Sequence, residues 1–360
     1  MKILLKLVWG FVLLLSLITI QGCPECLPPE PKQDLDSDII FTGQSLNNSN
    51  QGIFIIREDG YNLQELIENA EIYSGISDDG KFVFLTKSEN GIDKLVKWDF
   101  YKGTAEYPFD DTTYPNIRYP VMSKDGSYIA FFTGDGKLVS GERAVWVSAS
   151  YDICPGTLPV FSPDSKLIAF IEADSVSAPF TINIVRADNP GIKLYYKLFP
   201  FGLSGNPVEV KLGWNHQDLI TYSYTRSKTI DVIGVWNYEN PAKPIEFQQE
   251  NLGAFNPVIS PDKTKILFTS RDGTLWWRNY SEDISTPSVW VDIGKVNDNE
   301  YIAYPQFSKD GKKILYTRFF RNVDDIYSGK LEVLENFGTD SVGSKLICNG
   351  ANRAFWRENK

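Results

Sequence analysis

Catalysis usually draws on histidines, activated nucleophiles and paired acids, and in this chain those residues are arranged poorly for it. There is one histidine, His216, within the run Asn215-His216-Gln217-Asp218; a solitary His in such a turn is more often solvated than a general base. No Gly-x-Ser-x-Gly elbow occurs, because Gly202-Leu203-Ser204-Gly205 has the wrong spacing. A single His cannot build a multi-histidine metal site. Acidic stretches at 109–111, 297–300 and 322–325 lack the spacing of a calcium loop and read as solvated loops. The sequence therefore predicts no catalytic residue, no metal and no cofactor. A carboxylate pair acting as acid and base stays open, since acids are abundant and no spacing singles one out.

The cysteines point to location. Lys2 and Lys6 precede an apolar run from Leu7 to Ile20, and Ile20-Gln21-Gly22-Cys23 follows. The run is short for a membrane span and lacks stop-transfer charges, so residues 1–22 read as a signal peptide. A small residue followed by Cys resembles a bacterial lipobox, which implies a lipid on Cys23. An ordinary secretory peptide or an uncleaved anchor is the alternative. Residues 23–37 combine that Cys with a Pro-rich, acidic tether. Pro24 stands where the common inner-membrane retention signal has Asp, which favours the outer membrane. Of the other cysteines, Cys26 and Cys348 are the expected pair if an oxidising compartment forms one, with three free thiols, Cys154 included, as the alternative. The formal charge of −10 becomes more negative once the two leader lysines are removed. Nucleic acid and anionic lipid are thereby disfavoured as main partners. What remains is an envelope protein partner, with the membrane reached only through the anchor.

Self-similarity sets the fold. GISDDGKFVFLT (75–86), PVMSKDGSYIAFFT (120–133), PVFSPDSKLIAFIE (159–172), PVISPDKTKILFTS (257–270) and PQFSKDGKKILYTR (305–318) are copies of one unit, and LGWNHQDLITYS (212–223) is a degraded copy. The markers Ser77, Ser123, Ser162, Asn215, Ser260 and Ser308 are 46, 39, 53, 45 and 48 residues apart, a period that suits one four-stranded blade. In each copy an apolar strand runs into a tight turn in which Asp79, Asp125, Asp164, Asp262 and Asp310 cap backbone amides. A second strand follows, then a third with a central aromatic (Trp98, Trp146, Trp236, Trp276), then a weaker fourth such as Lys193 to Lys197. The aromatics at these repeating places are expected to pack between blades, while Trp277 and Trp290 are less constrained.

This unit resembles the repeat of TolB-type β-propellers, which also occurs in propellers of the prolyl oligopeptidase family. The resemblance covers nearly all of 38–360 and implies an all-β propeller whose motif residues build turns. TolB-type proteins add an N-terminal α/β domain for which the short linker leaves no room, so the TolB task itself is not implied. Segments 39–44, 52–59 and 63–69 read as strands two to four of a blade without a first strand, and Ala351-Asn352-Arg353-Ala354-Phe355-Trp356 reads as a first strand alone. Joined, they make a seventh blade and leave no open sheet edge at the closure; six blades is the alternative.

Loops between second and third strands share one face with the blade connectors. That face receives the long irregular segments Gly43 to Gly52, Gly134 to Arg143, Ala173 to Pro179, Arg318 to Gly329, Phe109 to Tyr119 and Phe199 to Val208, and recognition is expected there. Lys87, Arg226, Arg271 and Arg318 follow second strands at matching places and are candidates for an anionic ligand or acidic partner. Salt bridges to nearby acids are the alternative. First strands such as Pro159-Val160 and Pro257-Val258 suggest a packed, aliphatic channel. The expected role is a non-enzymatic envelope lipoprotein that displays a propeller face, with a glycan-acting carboxylate enzyme or a small-ligand sensor as rivals.

Overall fold

The computed structural model describes residues 38–44, 50–89, 92–108, 117–133, 137–140, 143–146, 159–173, 179–199, 211–216, 218–227, 230–240, 244–250, 255–270, 272–280, 291–294, 300–320, 330–335 and 343–357. The chain divides into Met1–Leu35 and Asp36–Lys360. The first unit, with the expected signal peptide, Cys23, Cys26 and most of the expected tether, lies outside the described residues, as does Cys154.

Every described element is a strand, and the strands form seven antiparallel four-stranded sheets. Blade 1 holds β1 (Ile39–Gln44), β2 (Gln51–Ile56) and β3 (Gln64–Glu68). Blade 2 is β4 (Ala70–Ile72), β5 (Phe82–Glu89), β6 (Ile92–Asp99) and β7 (Thr104–Glu106). Blade 3 is β8 (Arg118–Met122), β9 (Ile129–Phe132), β10 (Lys137–Ser140) and β11 (Arg143–Trp146). Blade 4 is β12 (Val160–Phe161), β13 (Leu167–Ala173), β14 (Phe180–Arg186) and β15 (Asn189–Phe199). Blade 5 is β16 (Lys211–Gly213), β17 (Leu219–Ser227), β18 (Ile230–Asn237) and β19 (Ile245–Glu250). Blade 6 is β20 (Phe255–Ile259), β21 (Lys265–Thr269), β22 (Leu275–Asn279) and β23 (Val291–Gly294). Blade 7 is β24 (Glu300–Phe307), β25 (Lys313–Phe320), β26 (Lys330–Glu335) and β27 (Gly343–Asn349).

The last strand, β28 (Ala351–Trp356), pairs antiparallel with β1, Ile39 facing Trp356 and Phe41 facing Ala354. Strands β1 and β28 thus share blade 1, and the ring has seven blades, as the orphan segments 39–44 and 351–356 suggested. Apolar clusters lie between adjacent blades. Phe41, Phe54 and Ala354 of blade 1 pack on Leu315 and Val333 of blade 7, and Phe180 and Phe199 of blade 4 pack on Trp214 and Tyr222 of blade 5. A blade is hydrophobic on both faces, so it is stable only between neighbours. Trp236 is buried in this way, whereas Trp98, Trp276 and Trp277 are partly buried; Trp290 and the side chain of Trp146 lie outside the described residues. Trp146 sits on the fourth strand of its blade, not the third. The third strand is β10, inside the segment expected as the loop Gly134 to Arg143, because four residues without a central aromatic gave no strand signal.

The repeat turns share one hydrogen-bond scheme. In each, the Ser hydroxyl donates to the Asp two residues on: Ser77 to Asp79 (2.6 Å), Ser123 to Asp125 (2.7 Å), Ser162 to Asp164 (2.7 Å), Ser260 to Asp262 (2.6 Å) and Ser308 to Asp310 (2.7 Å). The same hydroxyl accepts the N–H five residues on, from Phe82, Tyr128, Leu167, Lys265 and Lys313. The fourth turn residue has positive φ: Gly80 (68°), Gly126 (71°), Ser165 (65°), Lys263 (58°) and Gly311 (71°). Glycine adopts this region at little cost, which accounts for three of the five. Phe100, Ala187 and Tyr280 N–H groups bond the carbonyls of Lys81, Lys166 and Thr264. The connections from third to fourth strand therefore lie beside these turns, and both belong to one face.

Candidate functional site

Adjacent turns are stitched together around the turn face. The Asp78 N–H donates to the Lys124 carbonyl (2.5 Å), and the Asp125 N–H to Ser165 Oγ (3.1 Å). His216, in the degraded copy, donates from Nε2 to the Ser260 carbonyl (2.8 Å), and Lys263 bonds Asp218 (2.7 Å). Lys313 pairs with Glu58 across the closure. The lone histidine is thus a tie between blades 5 and 6, and the repeated Ser and Asp residues hold turns.

The opposite face is concave between blades 1 and 2. A cavity of about 460 Å³ there is lined by Asn50, Gln51, Asn69, Ala70, Glu71, Thr86, Ser88 and Asp93. Asn50 donates to Asn69 Oδ1 (2.6 Å) across its rim, and the Ser88 N–H bonds the Asn69 carbonyl (2.8 Å). Asn69 has φ of 55°, a region that Asn tolerates better than most residues. All these lining residues but Ala70 have polar side chains, and the loop between β1 and β2 contributes the rim. The expected recognition segment Gly43 to Gly52 supplies Asn50 and Gln51; nothing in the sequence singled out the others, since amides and hydroxyls at strand ends are common and only the blade contact brings them together.

The candidate cations fare unequally. Lys87 pairs with Glu89 (3.0 Å), which also accepts from Tyr107 Oη (2.7 Å) and meets Lys94 (3.5 Å). The Tyr107 hydroxyl and Lys87 together hold the Glu89 carboxyl down at about 2, and Glu89 in turn holds the Lys87 ammonium above its usual range. Arg318 lies in β25 and bonds Glu332 through Nε (3.1 Å) and Nη2 (3.0 Å), with Glu300 at 3.5 Å. Tyr316 also donates to Glu332 (2.7 Å). Burial works against the Arg318 charge, but Glu332 more than offsets it and raises its pKa. Both cations are engaged by carboxylates, as the salt-bridge alternative had it.

The four cations do not share one register. Phe82 faces Asp99 and Leu219 faces Asn237, and Asp99 and Asn237 cap matching turns. Leu219 therefore corresponds to Phe82, which places Tyr224, not Arg226, opposite Lys87. The turn of blade 5 is one residue shorter than the others, and this displaced the count. In blade 6 the residue matching Lys87 and Arg318 is Ser270, which accepts from Trp276 Nε1 (3.1 Å) and bonds Asp272. Arg271 and the side chain of Arg226 lie outside the described residues.

The inner strands depart from the packed aliphatic channel that the sequence suggested. Four of them carry a bulge with one extra residue, between Arg118 and Val121, Phe255 and Val258, Ala303 and Gln306, and Ala351 and Ala354. Tyr119, Asn256 and Tyr304 occupy the bulges at φ of 52°, 51° and 55°, each followed by a proline. A bulge leaves a residue outside the ladder, where the missing proline N–H costs nothing, and it re-aims a side chain. Arg353 holds the matching place in β28 and Tyr73 in blade 2. Arg353 lies over the Tyr304 ring (4.6 Å) and the Tyr73 ring (5.1 Å), and Tyr73 meets Tyr119 edge-on (5.6 Å). Tyr73 donates to Glu71 Oε2 (2.5 Å); burial first, then Glu71, holds its hydroxyl far above the ordinary range, so it stays protonated. The motif alignment contains "YP" twice and "NP" once at this place, a signal that could have marked the bulges.

Cys348, on β27, is partly buried with a free thiol, and burial raises its pKa to about 12. Among the described residues, no group of three or more His, Cys, Asp or Glu stands close enough to hold a metal ion.

No family model matches the chain, and no curated protein matches it in sequence. Solved structures do match. TolB from Acinetobacter baumannii superposes with a TM-score of 0.51 at 14% identity, over 90% of this chain and 67% of that one. A functionally unknown protein from Desulfotomaculum acetoxidans gives 0.58 at 13%, over 90% and 100%. A protein provisionally assigned as a 6-phosphogluconolactonase from Bacteroides uniformis gives 0.55 at 14%, over 89% and 99%. At such identities the shared property is the architecture, and these comparisons establish the chain as a β-propeller with TolB propellers among its structural neighbours.

Proposed function

We propose that this chain is a non-enzymatic cell-envelope lipoprotein, anchored through Cys23 in the outer membrane, that presents the loop-rich face of its propeller to another envelope protein. The observation that supports this most is the contrast at blades 1 and 2. The turn face there holds only a smaller cavity, of about 180 Å³, among the repeated turns, while the other face offers one of about 460 Å³ lined by amides, hydroxyls and carboxylates. Such a surface suits the main-chain and polar groups of a protein loop. The TolB neighbour fits an interaction role; the lactonase neighbour makes the rival explicit.

The test is site-specific photocrosslinking of the full chain in cells. A crosslinker at Ser88 is expected to capture a defined partner that one at Lys312, on the turn face, does not. Equal capture from both faces would remove the face assignment. Cys23→Ala is expected to shift the protein from the membrane to the soluble fraction, and an unchanged distribution would remove the anchor.

One observation favours the enzymatic rival: Glu71 and Asp93 both line the cavity. Glycan hydrolysis that is lost in both Glu71→Gln and Asp93→Asn would replace the binding reading.

A further inference from the structure

The cavity between blades 1 and 2 has a floor and a mouth. Ala70 and Thr86 are buried and Glu71 is half-buried, whereas Asn50, Ser88 and Asp93 are exposed at the opening. Glu71 faces Thr86 across the pairing of β4 with β5, and Ser88 faces Asp93 across the pairing of β5 with β6. One carboxylate therefore stands low in the space and the other at its entrance. Among the described lining residues these two acids are the only charged ones. Lys87 and Lys94 of the same hairpin pair instead with Glu89 (3.0 and 3.5 Å). The segments that follow β1 and β5, Ser45-Leu46-Asn47-Asn48-Ser49 and Asn90-Gly91, contain no basic residue.

The fold leaves both carboxylates acceptors to spare. Tyr73 donates to Glu71 Oε2 (2.5 Å), while Oε1 receives no hydrogen bond and is not sealed from solvent. Arg353 stacks on the Tyr73 ring (5.1 Å) and attracts Glu71, with no ion pair between them. Among the described residues, the Asp93 carboxylate has neither a hydrogen-bond donor nor an ion-pair partner. An ionised carboxylate only accepts, so an occupant must bring donors, and two acids without a lining base favour a cation. A metal ion lacks ligands here, since no group of three or more His, Cys, Asp or Glu stands together among the described residues. A sugar would find no aromatic ring among the described lining residues to stack on. Between the two basic side chains, a guanidinium fork needs both carboxylate oxygens, and Tyr73 already holds one. An ammonium is a point charge that one free oxygen can serve.

We propose that this cavity takes a lysine side chain of the protein partner. The ammonium donates to Glu71 Oε1 beside Thr86 at the floor, and Asp93 draws the charge in at the mouth. A flexible four-carbon stem lets the charge reach the floor while the partner's backbone stays outside, near Asn50 and Ser88. This inference rests on the binding role proposed above and adds the partner's chemistry, a loop with an exposed lysine.

The test uses the purified full chain and acetyl-Gly-Lys-Gly amide, with its norleucine and arginine analogues. The backbone N–H signals of Thr86 and Ser88 are followed by NMR. The lysine peptide is expected to shift both saturably at millimolar concentration, the arginine peptide to bind more weakly, and the norleucine peptide to do nothing. Glu71→Gln keeps the shape and an acceptor for Tyr73, and is expected to bind lysine about tenfold more weakly. Asp93→Asn, at the exposed mouth, should weaken binding about twofold. Glu106→Gln, on the outer strand of blade 2, makes the same change in net charge and should leave binding unaltered. Should Glu71→Gln fail to fold, Asp93→Asn against Glu106→Gln, with the norleucine control, still decides. Equal responses to lysine and norleucine, tighter binding of arginine, or equal weakening by Glu106→Gln would overturn the proposal. Saturable shifts with N-acetylglucosamine and none with lysine would do the same. Photocrosslinking from Ser88 reports separately on the role beneath it. Capture of a partner without a lysine preference removes this chemistry alone, and lysine binding without capture removes the envelope partner and keeps the lysine preference.

Discussion

On the turn face, five Ser-x-Asp turns repeat one bonding scheme with Ser–Asp distances between 2.6 and 2.7 Å, whereas on the other face the second strands of blades 2, 6 and 7 each finish differently. Lys87 ends in a cluster with Glu89 and Tyr107, Ser270 in a turn with Asp272, and Arg318 in a buried network with Glu332. Both faces are attached to the same seven sheets, so the sheets do not dictate the difference. Repetition marks residues that must solve the same geometric problem five times; divergence marks places where geometry makes no demand and recognition is free to choose. Reading the repeated Ser and Asp residues as structural, and searching for function elsewhere, follows from that contrast.

Substitutions on the two faces should break the comparison in predictable ways. Gly126 has φ of 71°, and a Cβ there would stand 3.2 Å from the Ser77 Cβ of the neighbouring turn. Gly126→Val combines a β-branched side chain in the left-handed region with that approach, and is expected to cost about 2–3 kcal/mol in chemical denaturation. Ser260→Ala removes a buried hydroxyl that serves both Asp262 and the Lys265 N–H. Its expected cost is about 1–2 kcal/mol, with a double-mutant cycle against Asp262→Ala showing coupling on the order of 1 kcal/mol.

Acid should act on the turn face in several blades together. Asp125, Asp164, Asp262 and Asp310 all titrate below the ordinary carboxylate range; for Asp262 the Ser260 hydroxyl is the main cause and brings it to about 2. A carboxyl with a depressed folded pKa favours folding above its unfolded value near 4, and that contribution is lost as pH falls toward 2. Stability is expected to decline through that window, and Asp262→Asn should make the decline shallower; an equal slope in the variant would show that the turns do not govern it.

Smaller effects sharpen the contrast. Lys263 occupies its turn at φ of 58°, so Lys263→Gly relieves the backbone but also frees the unfolded chain and removes the Asp218 contact. The expected gain is at most about 0.5 kcal/mol, far from the loss at Gly126. On the other face, Ser88→Ala is expected to change stability by less than about 0.5 kcal/mol while reducing capture of the partner.

The blades were legible in the sequence because each copy spells its own turn, and local hydrogen bonding needs only neighbours in sequence. Closure was legible too: segments 39–44, 52–59 and 63–69 lacked a first partner, and 351–356 lacked followers. The functional surface was less so, for reasons of register. One missing turn residue before Leu219 moves every later side chain of β17 along the ladder, which is why Arg226 does not match Lys87. The bulge at Tyr304 turns an alternating strand out of phase, so counting inward and outward residues cannot find a tyrosine that meets Arg353. The third strand of blade 3, only Lys137–Ser140, has too few residues to show a period. The cavity beside Glu71 depends on two blades meeting, a relation that no single repeat contains.

The pairing of β1 with β28 also has a temporal side. A ribosome delivers Ile39 early and its neighbour Trp356 only after nearly all the intervening chain has emerged. Until then the first blade has a bare inner border, and any product that stops short of Ala351 keeps it bare. Such a fragment exposes an unpaired β-edge bearing Ile39 and Phe41, the kind of surface on which chaperones act and aggregates grow. Completion of the ring thus works as a length check: only a chain carried through to its last strand conceals the signal that marks it as unfinished.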